Sequence, residues 1–499
     1  MKQNTPRTML AKEGTVGQRT STKRIWKNLL VLASVFLVNF TSFRAIQNLQ
    51  STLNSEAGLG VVSLSCVYAS MVLSCLYAPF FIHKVGSCKW TVVVCLLGHA
   101  LYTTSNFYPS WFTLVPSSVL LGAISGPLWT AQSTYLANSA QEYANVLQHG
   151  TEGAIAKFNG VFYFLHDLSG ISGNLISSLV LSAGRQDIGK GEFCGAMDCG
   201  IRPELNWTSQ YYVTNSSLSY NSTVLPNDKQ RVVVYTLFGI FLGCNVFAIL
   251  IAYLLLDKDV QRVASEPMQI SQHLIRTFKV FKDFRFVLLT PLIFIFGMTY
   301  ATVAGDYTKS YVSCVLGVQT VGYVLLCYRV TSSIFSLLSG HVNKYVGTRS
   351  LLVASAVATV ALSGYMLWWE PEEKAVVRIY LVAAGWGATL AVWQTQLDAL
   401  IGVLFLNNKE AAFAGMKMIH ALGSAMAFAY SSAVCTDVKL FILLAVLAAG
   451  LVGYGVLEWR THKEARDSHL KSLEQLGERN RNNQTLLDVD ALIERETSL

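Results

Sequence analysis

Asp167, preceded by His166, stands in an apolar stretch that holds no other charged residue, and its carboxyl group is well placed to carry a proton. Burial in hydrocarbon disfavours the charged form and a nearby cation restores it, so its proton would come and go as its surroundings change. A fixed ion pair or a helix–helix hydrogen bond is the plainer reading. Asp398 follows Trp393, Gln394 and Gln396; Gln394 and Asp398 are four apart and share a helical face, with Trp393 and Gln396 on an adjacent one. Trp129 and Gln132 repeat the Trp–Gln spacing. Amides beside indoles suit a partly dry site for a small polar solute, but amides that join helices would give the same pattern. Arg44, Gln47 and Asn48 share a third face. They could meet an anionic solute, or Arg44 could snorkel outward or bond a carboxylate. Asp306 and Lys309 read as solvated charges or a latch at the outer interface, while Arg329, Lys417 and His420 stand alone in their segments. A charge at the bilayer centre costs about 2.5–3.5 kcal/mol on insertion scales, so each of these is a functional candidate.

The surrounding chain explains why these charges would sit in a membrane. Of 499 residues, 52% are hydrophobic and 14% charged, with a mean hydropathy of +0.40. Apolar runs long enough to span a bilayer recur at 26–46, 61–82, 90–107, 112–137, 158–182, 232–256, 286–305, 315–338, 350–369, 376–405, 410–434 and 439–457. The expected fold is an all-α polytopic membrane protein of twelve transmembrane helices. Its parts are an N-terminal tail (1–25), a six-helix half (26–256), a linker (257–285), a second half (286–457) and a C-terminal tail (458–499). The net charge of +8 is not a nucleic-acid signal. Basic residues gather on every second connection, which places both termini in the cytosol. Loop 138–156, assigned to the same side, is barely basic.

The polar loop 185–231 then faces outward and carries three N-glycosylation acceptors, Asn206, Asn215 and Asn221. Cys194 and Cys199 in this loop invite a disulfide, although the interval is tight and other partners stay open. No phosphate-binding loop, zinc spacing or nucleophile elbow is present, so neither an enzyme nor a cofactor is expected.

The two halves echo each other. Ser51-x-Leu53 returns as Ser310-x-Val312, and Gly86 between Lys84 and Lys89 returns as Gly347 between Lys344 and Arg349. Trp129-x-x-Gln132 returns as Trp393-x-x-Gln396, so the offsets stay between 259 and 264 residues. Two parallel six-helix repeats are the plan of the major facilitator superfamily. Gly340 through Arg349 resembles that superfamily's signature loop, a cytosolic gate, with Asn343 where an acid is usual.

Leu49 through Gly60, Pro127 through Leu136, Gly173 through Ser178, Tyr307 through Val312, and Val392 through Gln396 resemble the uncoordinated-93 (Unc-93) family, a branch of that superfamily. Cys194-Gly195-Ala196-Met197-Asp198-Cys199 is similar to the outer-loop motif of the A-type homologues. The resemblance implies a major facilitator fold of two pseudo-symmetric halves with helices 1, 4, 7 and 10 around a central cavity. It leaves two roles open. One is a plasma-membrane carrier of a small polar or ionic solute, which would bind at Arg44, Gln47, Trp129, Gln132, Asp167, Trp393, Gln394, Gln396 and Asp398. The other is an accessory protein that regulates a potassium channel or escorts a receptor to endosomal membranes. The final Thr497-Ser498-Leu499 resembles a ligand for a PDZ protein.

If the loop faces the secretory lumen, glycosidase treatment of protein from mammalian cells should lower its apparent mass. Replacing Asn206, Asn215 and Asn221 together with Gln should abolish that shift; unchanged mobility of the native chain would place the loop elsewhere.

Overall fold

A computed structural model describes residues 7–53, 59–148, 150–181, 194–198, 228–258, 278–431, 434–464 and 466. The N-terminal half holds α1 (Arg7–Leu53), α2 (Leu59–Val85), α3 (Cys88–Ser105), α4 (Trp111–Leu147), α5 (Thr151–Leu181) and α6 (Asp228–Leu255). The C-terminal half opens with α7 (Phe284–Leu316). A helical run from Val318 to Trp368 breaks at Gly347, giving α8 (318–346) and α9 (348–368). The half ends with α10 (Val376–Leu404), α11 (Lys409–Ser431) and α12 (Thr436–Glu464). Among the described residues nine helices are long and apolar enough to cross a membrane, with the α8–α9 run counted once; α3 and α5 complete the bundle. A helix satisfies its own backbone groups, which hydrocarbon would leave unpaired. Below, the terminal face is the one where α1's apolar span begins and α12 ends; the loop face is opposite.

Each half has its own apolar core. One centres on Phe36, Phe158 and Phe162, the other on Phe286, Trp386 and Phe413. The halves meet where α11 packs on α2 and α8 packs on α5. At the α5–α8 seam the backbones touch: a Cβ on Gly160 would stand 2.5 Å from the Ser336 carbonyl oxygen, and one on Gly340 2.7 Å from that of Ala156. At the terminal face, Lys409 Nζ on α11 donates to Asn138 Oδ1 (3.0 Å) and Gln141 Oε1 (2.6 Å) on α4. Those acceptors fall in what the sequence assigns to loop 138–156. The structure corrects this: α4 continues to Leu147 and α5 begins at Thr151, because a polar helix can run past the membrane surface and end on left-handed Gln148.

Turns and clamps fix the remaining elements. Gly86 (φ 84°) between α2 and α3, and Gly347 (φ 79°) between α8 and α9, take a left-handed conformation that other residues resist. Ser87 and Ser110 cap α3 and α4 through their side chains. Arg24 and Lys27 of α1 each lie 3.0 Å from Asp257 after α6, closing the N-terminal half at the terminal face. Partial burial pushes the Asp257 carboxyl upward, but Lys27 and Arg24 outweigh it and hold the group below its usual range. In α7 the stretch Thr302–Ser313 is a π-helix. Here Tyr307 donates to the Ile379 carbonyl and Tyr311 to that of Met366, both at 2.5 Å. Those bonds tie the wide turn to α10 and α9.

Filling the α5–α8 seam should separate the halves. Gly160→Val is expected to cost about 1–3 kcal/mol from overpacking and to lower the melting temperature of the purified protein. Gly239→Ala, whose Cβ meets nothing within 4 Å, should leave it unchanged.

Candidate functional site: two buried charge clusters at the seam

Above the Gly160–Gly340 contact, α5 presents Asp167 to α8. Ser332 Oγ donates to Asp167 Oδ2 at 2.6 Å, Arg329 Nη1 lies 3.5 Å from Oδ1, and His166 Nδ1 lies 3.6 Å from the same oxygen. Asp167, His166 and Arg329 are buried. One turn further, two glycines of α5 make room for arginines: a Cβ on Gly170 would stand 3.1 Å from Arg329 Cδ, and one on Gly173 3.3 Å from Arg44 Cβ. Arg44 of α1 is half-buried, and its charge interacts with those of Asp167 and Arg329. The His166 ring sits among Phe36, Phe40, Trp129, Phe162 and Tyr163, and neither ring nitrogen has a hydrogen-bond partner within the protein.

The second cluster reverses the direction. Asp398, on α10 of the C-terminal half, accepts Lys417 Nζ of α11 at 3.0 and 3.2 Å and the Tyr163 hydroxyl of α5. Lys417 also lies over the Trp129 ring of α4, 5.8 Å from its centroid. Tyr163 and Asp167 are four apart on α5, so one helix face serves both clusters. The two clusters hold three cationic side chains (Arg44, Arg329, Lys417) and two carboxylic ones. They can hold an anion, and each carboxyl is bonded across the seam.

The structure separates other residues that the sequence groups with this site. Trp393 turns toward α9, where its Nε1 donates to Thr359 Oγ1 at 3.3 Å, so only Trp129 of the two indoles joins the clusters. Gln396 lies nearer the terminal face, accepting Asn343 Nδ2 (2.6 Å) and Thr348 Oγ1 (3.3 Å) and donating to the Ser339 carbonyl. Asn343 donates there, which a carboxylate could not do. Gln47 donates to Tyr68 of α2 at 2.6 Å. Gln132 is buried and accepts from Ser133, whereas half-buried Gln394 meets the Tyr163 hydroxyl and so stays with the second cluster. In the expected gating loops, Lys84, Lys89 and Lys344 lie over Phe80, Trp90 and Tyr345 of their own turns, and Arg349 lines a groove between α9 and α12. Asp306 is not solvated: it is buried against Lys439 of α12 at 2.8 Å, and Lys309 lies 3.8 Å from Asp198. Arg329 and Lys417 look isolated in sequence because their partners lie on other helices. The signal available in the sequence was the presence of both signs inside spans, since a buried cation needs an acid from another helix.

At the loop face the disulfide differs from the Cys194–Cys199 pairing entertained above. Cys194 is bonded to Cys314 of α7, with Cα atoms 5.7 Å apart, and Cys435 is disulfide-bonded as well. Asp198 explains the choice. It accepts from Ser310 Oγ (2.8 Å) and through its carbonyl from Thr436 N (3.1 Å), which lays the segment on the C-terminal half. Cys199, the sequons at Asn206, Asn215 and Asn221, and Thr497 and Leu499 lie outside the described residues.

A family model described as "Ion channel regulatory protein UNC-93" matches residues 50–366. Protein unc-93 homolog A of Xenopus laevis is 37% identical over 90% of this chain and 96% of its own length. The Homo sapiens protein of that name is 38% identical over 87% and 93%. The chain belongs to the UNC-93 family. Its fold is that of the major facilitator superfamily. The human organic anion transporter TETRAN superposes with a TM-score of 0.59 at 12% identity, covering 87% of this chain and 99% of that one. The transporter FucP in its outward conformation superposes with a TM-score of 0.58 at 14% identity, covering 86% and 98%.

Coupling within the second cluster is measurable. Asp398→Asn or Lys417→Met alone should destabilise the protein by about 3–5 kcal/mol, since each strands a buried partner. The double substitution should regain most of that loss in thermal melts. Additive losses would show that the two groups do not act as a pair.

Proposed function

We propose that this chain is a secondary carrier for a small anionic solute, working by alternating access, with Asp167 as its proton-coupling group. The observation that carries this reading is the reciprocal seam: α5 of one half holds a carboxyl bonded from α8, and α10 of the other half holds one bonded from α5. Rocking of the halves must break both. A buried carboxylate left alone is costly, and protonation removes the charge that makes it so. An anion entering between Arg44 and Arg329 would compete with Asp167 for their charges and loosen the first cluster. The second cluster would open as Tyr163 leaves Asp398, which keeps Lys417 from its own half. His166, whose ring sits in an aromatic box with Nδ1 toward Asp167, would supply a further polar contact for a bound solute.

Both termini in the cytosol fit the basic-residue pattern; residence in the plasma membrane is the reading the A-type resemblance supports, with an endosomal membrane as the alternative. A second reading, a regulatory partner of an ion channel, has the family description behind it. The ordered loop-face segment around Asp198, clipped to α7 and resting on the start of α12, gives it a surface with which to meet a partner.

Purified protein in liposomes, offered a panel of labelled carboxylate, phosphate and sulfate solutes under an inward proton gradient, tests the carrier reading. Uptake of at least one anion should rise with the gradient. Arg329→Gln should lower it about tenfold, the worth of one charge-assisted hydrogen bond. Asp167→Asn should remove the response to the gradient while solute exchange persists. Absence of flux for every anion, with a channel co-purifying from native membranes, would replace the carrier with the regulator.

A further inference from the structure

Away from the seam, α9 and α12 diverge around a groove of about 770 Å³. Its walls follow one face of each helix. Arg349, Val353, Val357 and Val360 on α9 match Leu451, Gly455, Trp459 and His462 on α12, at the same offsets of 4, 8 and 11 residues. The helices are antiparallel, so Arg349 and His462 share the terminal-face end while Val360 and Leu451 lie deep. Eleven residues of helix rise about 16 Å, about half of the ~30 Å hydrocarbon core. The groove is therefore one leaflet deep.

Its surfaces suit a lipid. Val353, Val357 and Val360 are exposed, and a Cβ on Gly455 would meet nothing within 4 Å, which leaves a channel in the α12 face. At the mouth, Arg349 and Trp459 are exposed beside His462. Among the described lining residues the one acid, Glu458, is engaged: Tyr454 donates to it at 2.6 Å and His462 Nε2 lies 3.7 Å away. A cation and an indole over an apolar channel form the pattern that receives an anionic headgroup above an acyl chain.

We propose that this groove binds an anionic phospholipid of the terminal-face leaflet, with one acyl chain between α9 and α12 and its phosphate at Arg349 and His462. The length and apolarity of the walls select a lipid over a free anion, which would gain nothing from the valines. Binding here would hold the last helix of the C-terminal half against α9 beside the Gly347 turn.

The test uses the full chain in nanodiscs with phosphatidylserine carrying a photoreactive diazirine on its acyl chain, followed by peptide mapping. Labelling should fall on peptides covering 349–361 and 451–462, and be competed by unlabelled phosphatidylserine but not by phosphatidylcholine or inorganic phosphate. Gly455→Leu, which fills the channel, should lower that labelling at least fivefold with an unchanged melting temperature. Arg349→Gln, at the exposed mouth, should cost roughly fivefold in competition by phosphatidylserine, the worth of one basic residue. Equal competition by phosphatidylcholine would reduce the groove to unselective lipid contact. Displacement by phosphate would make it a soluble-anion site, and labelling indifferent to Gly455→Leu would place the lipid elsewhere. Each of these outcomes overturns the proposal.

Discussion

A carboxylate inside hydrocarbon must find a partner, and much of this bundle's arrangement follows from that requirement. Asp167, Asp306 and Asp398 are all buried, and each takes its partner from another helix: Arg329 and Ser332 on α8, Lys439 on α12, Lys417 on α11 with Tyr163 on α5. The desolvation of each group is offset only where the pair geometry holds. These pairs therefore fix which helices neighbour one another more strictly than interchangeable apolar contacts do. Two of the three carboxyls bind across the seam between the halves. The third ties α7 to α12 within one half. The first kind can report or resist relative motion of the halves, whereas the second cannot.

The glycines of α5 serve the same arrangement. Gly160 lets α8 approach backbone to backbone, and Gly170 and Gly173 leave space for Arg329 and Arg44. Without the close seam, Ser332 would not reach Asp167 at 2.6 Å. The same α5 turns that carry Tyr163, His166 and Asp167 stack aromatic rings against Phe36, Phe40 and Trp129. A dry wall on one side strengthens the charge interactions on the other, because little water is left to screen them.

The spans, the two halves and the turn glycines Gly86 and Gly347 were legible in the sequence because hydropathy and repeat spacing are local properties of a chain. Partnerships between helices are not. Arg329 and Lys417 each stand alone in their own segment, and nothing along α8 or α11 names Asp167 or Asp398. The repeat also misleads in detail. Trp129 and Trp393 are pseudo-equivalent by spacing, yet one faces Lys417 and the other bonds Thr359 on α9. Gln396 mirrors Gln132 but anchors the Asn343 turn. Duplicated positions keep their helical depth while their neighbours diverge, so symmetry locates a residue without assigning its role. Proximity in sequence fails in the same way for Cys194, whose partner Cys314 lies 120 residues away.

The clip at the loop face bears on whether the halves can move. Cys194 belongs by chain order to the N-terminal half and is bonded to α7 of the other, which at first suggests a staple across the moving parts. Chain length argues otherwise. Thirteen residue steps separate Leu181 at the end of α5 from Cys194, and an extended chain covers about 3.3–3.6 Å per residue. That tether reaches roughly 43–47 Å when taut, several times the few ångströms over which the seam bonds act. By its bonds the clip belongs with the C-terminal half, and the length of chain between Leu181 and Cys194 does not by itself staple the halves together. In the carrier reading proposed above, resistance to opening would lie instead in the short bonds of the seam: Ser332 to Asp167, Tyr163 to Asp398, and Lys409 to Asn138 and Gln141. Of these, only the bonds made by the two carboxyl groups would change character if a proton or an anion arrived. They are where a solute could set the conformation of the bundle.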